Sequence, residues 1–218
     1  SEDESNRKQP DYLKAGDVVG ITAPAGHISL EGIASAKQKL EEWGFKVVVG
    51  KTIGTQDFTF AASDEERRKD FQTMLDDKNI KAILCGRGGY GAVRIIDDLD
   101  FSTFKKHPKW IIGFSDITVL HCYVNGHLDI ASIHSKMCNS FPDDWNMADD
   151  VQKATINSIR DCLNGTQMGY QTVASVMNVP GTAEGILVGG NLRTIENMAA
   201  TKSEICTCTL YTSDAAAE

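Results

Sequence analysis

The chain has 218 residues, of which 41% are hydrophobic and 24% charged, with 19 Gly, 5 Pro and a formal net charge of −8. This is the composition of an ordinary globular protein with enough chain for one large domain and part of another. The acidic balance excludes a nucleic-acid or anionic-membrane partner, since the longest basic cluster is only Lys105-Lys106-His107, and no run approaches the ~20 apolar residues of a membrane helix.

Strand and helix signals alternate along the chain. Ser1 to Pro10 is polar and carries no initiator Met, which leaves both a processed leader and a shortened start open. Val18 to Thr22 reads as a strand. Glu31 to Trp43 reads as an amphipathic helix with Ile33, Ala36 and Leu40 on one side and Gly44 as its stop. Phe45 to Val49 is a second strand. Ser63-Asp64-Glu65-Glu66 is a capping box that opens a helix to about Asp77. Ile80 to Cys85 is a third strand, followed by the glycine-rich turn Gly86-Arg87-Gly88-Gly89-Tyr90-Gly91 and a short helix to about Leu99. Trp110 to Gly113 is a fourth strand, Asp116 to Asn125 a helix, Asp129 to Ile133 a fifth strand, and Met147 to Leu163 a helix closed by Asn164-Gly165. Apolar strands separated by helices predict an α/β fold, a parallel sheet with helices on both faces.

Past residue 165 the texture changes. The predicted organisation is an N-terminal α/β domain over 13–165, a linker over 166–183, the start of an incomplete C-terminal domain over 184–205 and a non-native tail over 206–218. Glu184 to Val188 reads as a strand and Gly189-Gly190-Asn191-Leu192 as the opening of a helix to about Ala200. Ile186, Leu187, Val188, Leu192, Ile195 and Met198 then expose an apolar face or pair it across a homodimer.

Six cysteines are present, none in a C-x-x-C pair; no zinc site, metal or cofactor is indicated, and the absence of a disulfide framework fits a reducing, cytoplasmic compartment.

Candidate chemistry gathers at two turns. Ser115 follows the fourth strand where a helical pattern begins. One reading is a nucleophile on a strand-to-helix elbow with unpaired N–H groups beside it; the other is an N-cap serine with Asp116 in the first turn. The G-x-S-x-G elbow pattern is incomplete, because Ile117 stands where its second glycine would be. The turn Gly86–Gly91 is either a backbone cradle for an oxyanion or a tight connection; it is neither a Walker loop nor a dinucleotide fingerprint. Both turns follow adjacent strands, so both lie at the carboxyl edge of a parallel sheet, where ligands bind. His27, His121 and His134 are candidate bases, each with a structural alternative; a regular helix points His121 away from the elbow.

Five segments in order resemble the LD-carboxypeptidase family of serine peptidases, which includes murein tetrapeptide carboxypeptidases and microcin-immunity peptidases. They are Leu13-Lys14-Ala15-Gly16-Asp17 with Ile21-Thr22-Ala23-Pro24, Ala61 to Arg67, Arg87-Gly88-Gly89-Tyr90-Gly91, Pro108 to Thr118, and Gly189-Gly190-Asn191-Leu192. The resemblance implies that Ser115 is the nucleophile, that the N–H groups of Gly89 and Asp116 form the oxyanion hole, and that Arg87 and Gly88 contact substrate. It implies release of the terminal D-alanine of a muropeptide in cell-wall recycling, with a microcin-immunity-type peptidase or a non-catalytic two-lobe binding protein as alternatives. The family's Glu and His come from its C-terminal domain and match no position here; Glu196 and Glu204 do not fill the gap, so this chain by itself is expected to be nearly inactive. Ile133-His134-Ser135-Lys136-Met137 also departs from the family's His-Gly-Pro.

Overall fold

The computed structural model describes residues 8–166 in full and, beyond them, the backbone of strands over 172–179, 182–183, 185–188, 191–194 and 205–212. Five parallel strands carry the fold: β1 (Val18–Thr22), β2 (Lys46–Val49), β3 (Ile80–Cys85), β4 (Trp110–Gly113) and β5 (Ser132–His134), ordered β2-β1-β3-β4-β5. Strand order reverses between β1 and β3, so a crevice opens at the carboxyl ends of those two strands.

Helices α1 (Leu30–Glu42), α2 (Asp64–Asp76), α3 (Ala92–Ile95), α4 (Ser102–Lys106), α5 (Thr118–Gly126) and α6 (Asp150–Asn164) complete this part. The sheet is buried on both sides because successive strand residues feed opposite cores. Ala82, Leu84 and Ile112 pack with Ile33, Leu40 and Ile159 of α1 and α6. Ile83, Cys85 and Ile111 pack with Phe71, Leu75, Phe104 and Leu120 of α2, α4 and α5. Each of the Ile, Leu and Phe side chains among these contributes roughly 1.5–3 kcal/mol of burial. Helix starts follow local chemistry. Ser29 caps α1, Ser63 and Glu66 form the predicted capping box of α2, and Asp149 with Gln152 form another on α6, which ends at Gly165 in the left-handed conformation.

Several predicted bounds shift. The helix predicted from Asp116 begins as a 3₁₀ turn, Ser115–Ile117, before α5. The fifth strand starts at Ser132 rather than Asp129, whose φ of 60° takes it out of extended geometry. The helix predicted from Met147 starts at Asp150, after the 3₁₀ turn Trp145–Met147. The segment predicted as a linker contains β6 (Thr172–Val179) and β7 (Thr182–Ala183). The predicted strand is present as β8 (Gly185–Val188), but β9 (Asn191–Thr194) replaces the start of the predicted helix, pairing antiparallel with β8 across the two-residue Gly189-Gly190 connection. Two glycines between strands are a hairpin signal that outweighs a helix start. β10 (Ile205–Thr212) runs through the predicted tail and pairs with β5 and β6. The apolar side chains of 184–205 lie outside the described residues.

Cys85 and Cys138 are buried free thiols, as read for Cys85, Cys162 is buried as well, and burial pushes all three above the usual thiol range. Cys122 is disulfide-bonded. Among the described residues no helix is long and apolar enough to cross a membrane, and no group of acidic, His and Cys side chains could hold a metal ion.

Asp70 on α2 ties β1 to the loop after β2. Its carboxylate accepts from Thr22 Oγ1 (2.7 Å), Thr52 Oγ1 (2.6 Å), Lys51 N (3.0 Å) and Thr52 N (3.2 Å). Asp70→Ala strands these donors where water is scarce, so stability should fall by about 3 kcal/mol and Tm by roughly 6–12 °C in a thermal melt. A drop under about 1 kcal/mol would show that the network is dispensable.

Candidate active site

Gly113 ends β4 and the chain then turns through Ser115, whose φ is 60°. A non-glycine residue in this left-handed region costs of order 1–3 kcal/mol and persists only where surrounding structure holds it. Ser115 is exposed, is not the N-cap of the turn, and makes no side-chain capping bond. Ser115 is therefore no N-cap; its hydroxyl is exposed at the strand-to-helix turn. Gly113 explains the incomplete motif. A Cβ there would lie 2.7 Å from Ile117 Cγ2, so the glycine before the serine accommodates the bulky residue that replaces the glycine after it.

The turn after β3 lies against this elbow. A Cβ on Gly88 would sit 3.3 Å from Ser115 Cβ and 3.5 Å from its Oγ. Gly89 and Gly91 take φ of 113° and 131°, conformations that side-chain-bearing residues rarely adopt. The turn is fastened from behind: Gly26 N–H donates to Gly88 O at 3.0 Å, and a Cβ on Gly26 would strike that oxygen at 2.4 Å. The loops after β1 and β3 thus meet across the crevice where strand order reverses. The N–H groups of Gly89 and Asp116 make no hydrogen bond among the described residues. Arg87 is exposed, its guanidinium a long 3.4 Å from His27 O.

Asp116 links the two turns with its side chain. Its Oδ2 accepts from Ala92 N at 2.8 Å, capping α3 where the glycine turn ends. Burial raises its pKa, while the Ala92 N–H and Arg67 act the other way. Arg67 is the residue that sequence reasoning missed as a site element. Fully buried, it donates to Pro24 O (2.7 Å), Gly91 O (2.9 Å) and Ala62 O (3.1 Å) and pairs with Asp64. It thereby clamps the loop after β1 to the glycine turn. Its place on the first turns of α2, one residue after the capping box, is a weak signal by itself; a buried arginine facing carbonyls is invisible to periodicity.

None of the three histidines reaches Ser115 as a base. His27 Nδ1 lies 2.6 Å from Thr55 O and so donates to it. His134 is buried with its ring edge-on to Phe114, centroids 4.7 Å apart. His121 is fully buried and, against the expectation that a regular helix points it away from the elbow, reaches the strand end that leads into it; both ring nitrogens are taken by Ser132 and Gly113, so neither serves Ser115 as a base.

Two outcomes test this geometry. Gly113→Ala should cost about 1–3 kcal/mol by overpacking against Ile117, and the same substitution should cost much less in an Ile117→Ala background, which is itself destabilised by loss of a buried side chain; additive losses in denaturant titrations would refute the packing argument. His121 supplies the second. Burial pulls its pKa from 6.5 down to about 4 against the smaller raising effect of the Gly113 bond. Between those values the unfolded chain holds more protons, so stability is complete above pH 6.5 and declines by about 3 kcal/mol as pH falls toward 4. The difference in denaturation midpoint between wild type and His121→Gln, followed from pH 7 to 4, should carry that slope.

Residues 19–135 match the family of the LD-carboxypeptidase N-terminal domain. A probable murein peptide carboxypeptidase of Bacillus subtilis is 37% identical over 201 residues, 91% of this chain and 62% of its own length. A murein tetrapeptide carboxypeptidase of Pseudomonas aeruginosa is 28% identical over 187 residues, 84% of this chain and 60% of its own. An MccF-like protein from Bacillus anthracis shares the fold with a TM-score of 0.64 at 24% identity, over 87% of this chain and 56% of that one. The chain spans about three fifths of the length of these curated relatives. A glycine-cradled serine elbow at the edge of a parallel sheet, on a chain so matched, belongs to the LD-carboxypeptidase family.

Proposed function

We propose that the protein is a serine peptidase that releases the terminal D-alanine of murein tetrapeptides, with Ser115 as nucleophile. The observation that carries this reading is the exposed Ser115, held at a φ of 60° with Gly88 beside its Oγ. In this mechanism Ser115 Oγ attacks the carbonyl preceding D-alanine. The N–H groups of Gly89 and Asp116, which have no other partner among the described residues, receive the developing oxyanion. Each such donor contributes roughly 3 kcal/mol to the transition state. Collapse of the intermediate breaks the C–N bond, D-alanine leaves with a proton delivered to its nitrogen, and water hydrolyses the acyl-serine. Arg87 offers a cation to substrate at the same edge.

The proton transfers need a base. The family resemblance assigns it to a Glu–His pair of the C-terminal domain, and no described residue takes that place. The described residues therefore supply the nucleophile and oxyanion half of the site. The likeness to an MccF-like structure speaks to fold alone and gives no ground for preferring a nucleotide substrate.

Two measurements on the purified chain test the proposal: covalent labelling by a fluorophosphonate, mapped by mass spectrometry, and D-alanine release from a murein tetrapeptide. The adduct should lie on Ser115 and vanish in Ser115→Ala. Any turnover should fall by a factor on the order of 10⁴ or more in that variant. Cleavage that persists in Ser115→Ala would overturn the assignment.

A further inference from the structure

His121 is a buried titratable group that the mechanism does not use, and its hydrogen bonds run toward the elbow. Nε2 lies 3.0 Å from Gly113 O. A carbonyl oxygen only accepts, so Nε2 carries the ring proton. Nδ1, 2.6 Å from Ser132 Oγ, is then the lone-pair nitrogen, and the Ser132 hydroxyl donates to it. Asn125 Nδ2 donates in turn to Ser132 Oγ at 2.9 Å. The donors all point one way, Asn125 to Ser132 to His121 to Gly113. All three side chains are fully buried, so water does not compete for any of these bonds. The Gly113 carbonyl receives a second bond from Ser135 N–H at 3.1 Å.

This carbonyl is the last fixed group of β4 before the backbone enters its left-handed residue. Two donors, one from α5 and one from the end of β5, hold it from behind. We propose that His121 is a positioning residue which, with its tautomer set by Ser132 and Asn125, pins the Gly113 carbonyl and so keeps Ser115 in the conformation that presents its hydroxyl. The functional consequence rests on the reading of Ser115 as nucleophile; the structural consequence does not. His121 exchanges no proton with substrate. Its imidazole fixes the elbow from below the sheet edge, whereas the residues that touch substrate lie above it.

The test uses the 218-residue chain as wild type, His121→Gln, His121→Leu and Ser132→Ala. Glutamine keeps an N–H donor at about the reach of Nε2; leucine removes it; Ser132→Ala removes the group that fixes the tautomer. Heteronuclear NMR reads the His121 ring nitrogens and the amides of Ser115 and Asp116. Wild type should show the Nε2–H tautomer. His121→Leu should move the Ser115 and Asp116 amides while leaving that of Ile33, on the opposite face of the sheet, in place, and His121→Gln should restore them. The second readout is the rate of fluorophosphonate addition to Ser115. It should drop roughly tenfold to a hundredfold in His121→Leu and stay within about threefold in His121→Gln, with the reagent's half-saturation concentration unchanged. If His121→Leu does not fold, Ser132→Ala carries the same two readouts. An Nδ1–H tautomer, or unmoved Ser115 and Asp116 amides in a folded His121→Leu or Ser132→Ala chain, overturns the proposal. If wild type itself does not label, the missing base accounts for it and the amide shifts by themselves decide whether His121 positions the elbow.

Discussion

A serine backbone held near φ 60° is the constraint on which this site is organised. Left to itself the residue would relax toward a right-handed or extended conformation, gaining on the order of 1–3 kcal/mol. Three features oppose that relaxation. Gly113 leaves room for Ile117 to pack back under the turn. The Gly113 carbonyl is gripped by two buried donors. The Asp116 carboxylate, one residue on, is bonded to the start of α3. A strained residue so bracketed keeps its hydroxyl and the neighbouring amide in one arrangement, and under the proposed function little entropy is then lost on binding substrate.

The same logic extends to the second turn. Its glycines permit a backbone that no side chain would tolerate, and that freedom alone would leave the turn loose. Arg67 removes the looseness. One guanidinium bonds carbonyls from the loop after β1, the end of the glycine turn and the approach to α2. A buried, multiply bonded cation is rigid because breaking any one bond leaves a charge poorly solvated. With Gly26 N–H on Gly88 O, the crevice at the strand-order reversal has walls tied to each other and to the sheet. Asp70 does comparable work one layer deeper, at the carboxyl end of β1.

Much of this was legible in the order of residues. The periodicity of residues 31–43, the Ser63–Glu66 box and the apolar runs of β1, β3 and β4 are local signals, and local signals set those elements nearly to the residue. Ser115 and the Gly86–Gly91 turn were recognisable as candidates for the same reason, since each is a short local pattern, but the sequence left a structural alternative open for both. Bounds failed where a single backbone angle intervened, as at Asp129, or where pairing across Gly189-Gly190 made a strand out of a segment that reads as a helix start.

The sequence by itself determined a parallel α/β sheet with a candidate serine and a glycine turn after neighbouring strands, because alternation, caps and glycines act over a few residues. Only the tertiary structure decided that Ser115 is no cap, that Gly88 is the residue against its hydroxyl, and that Arg67 and His121 hold the two turns from behind. Those facts depend on groups far apart in the chain meeting in a dry interior, where a carbonyl selects a tautomer and a guanidinium selects its partners. Neither selection leaves a mark on the local pattern of residue types.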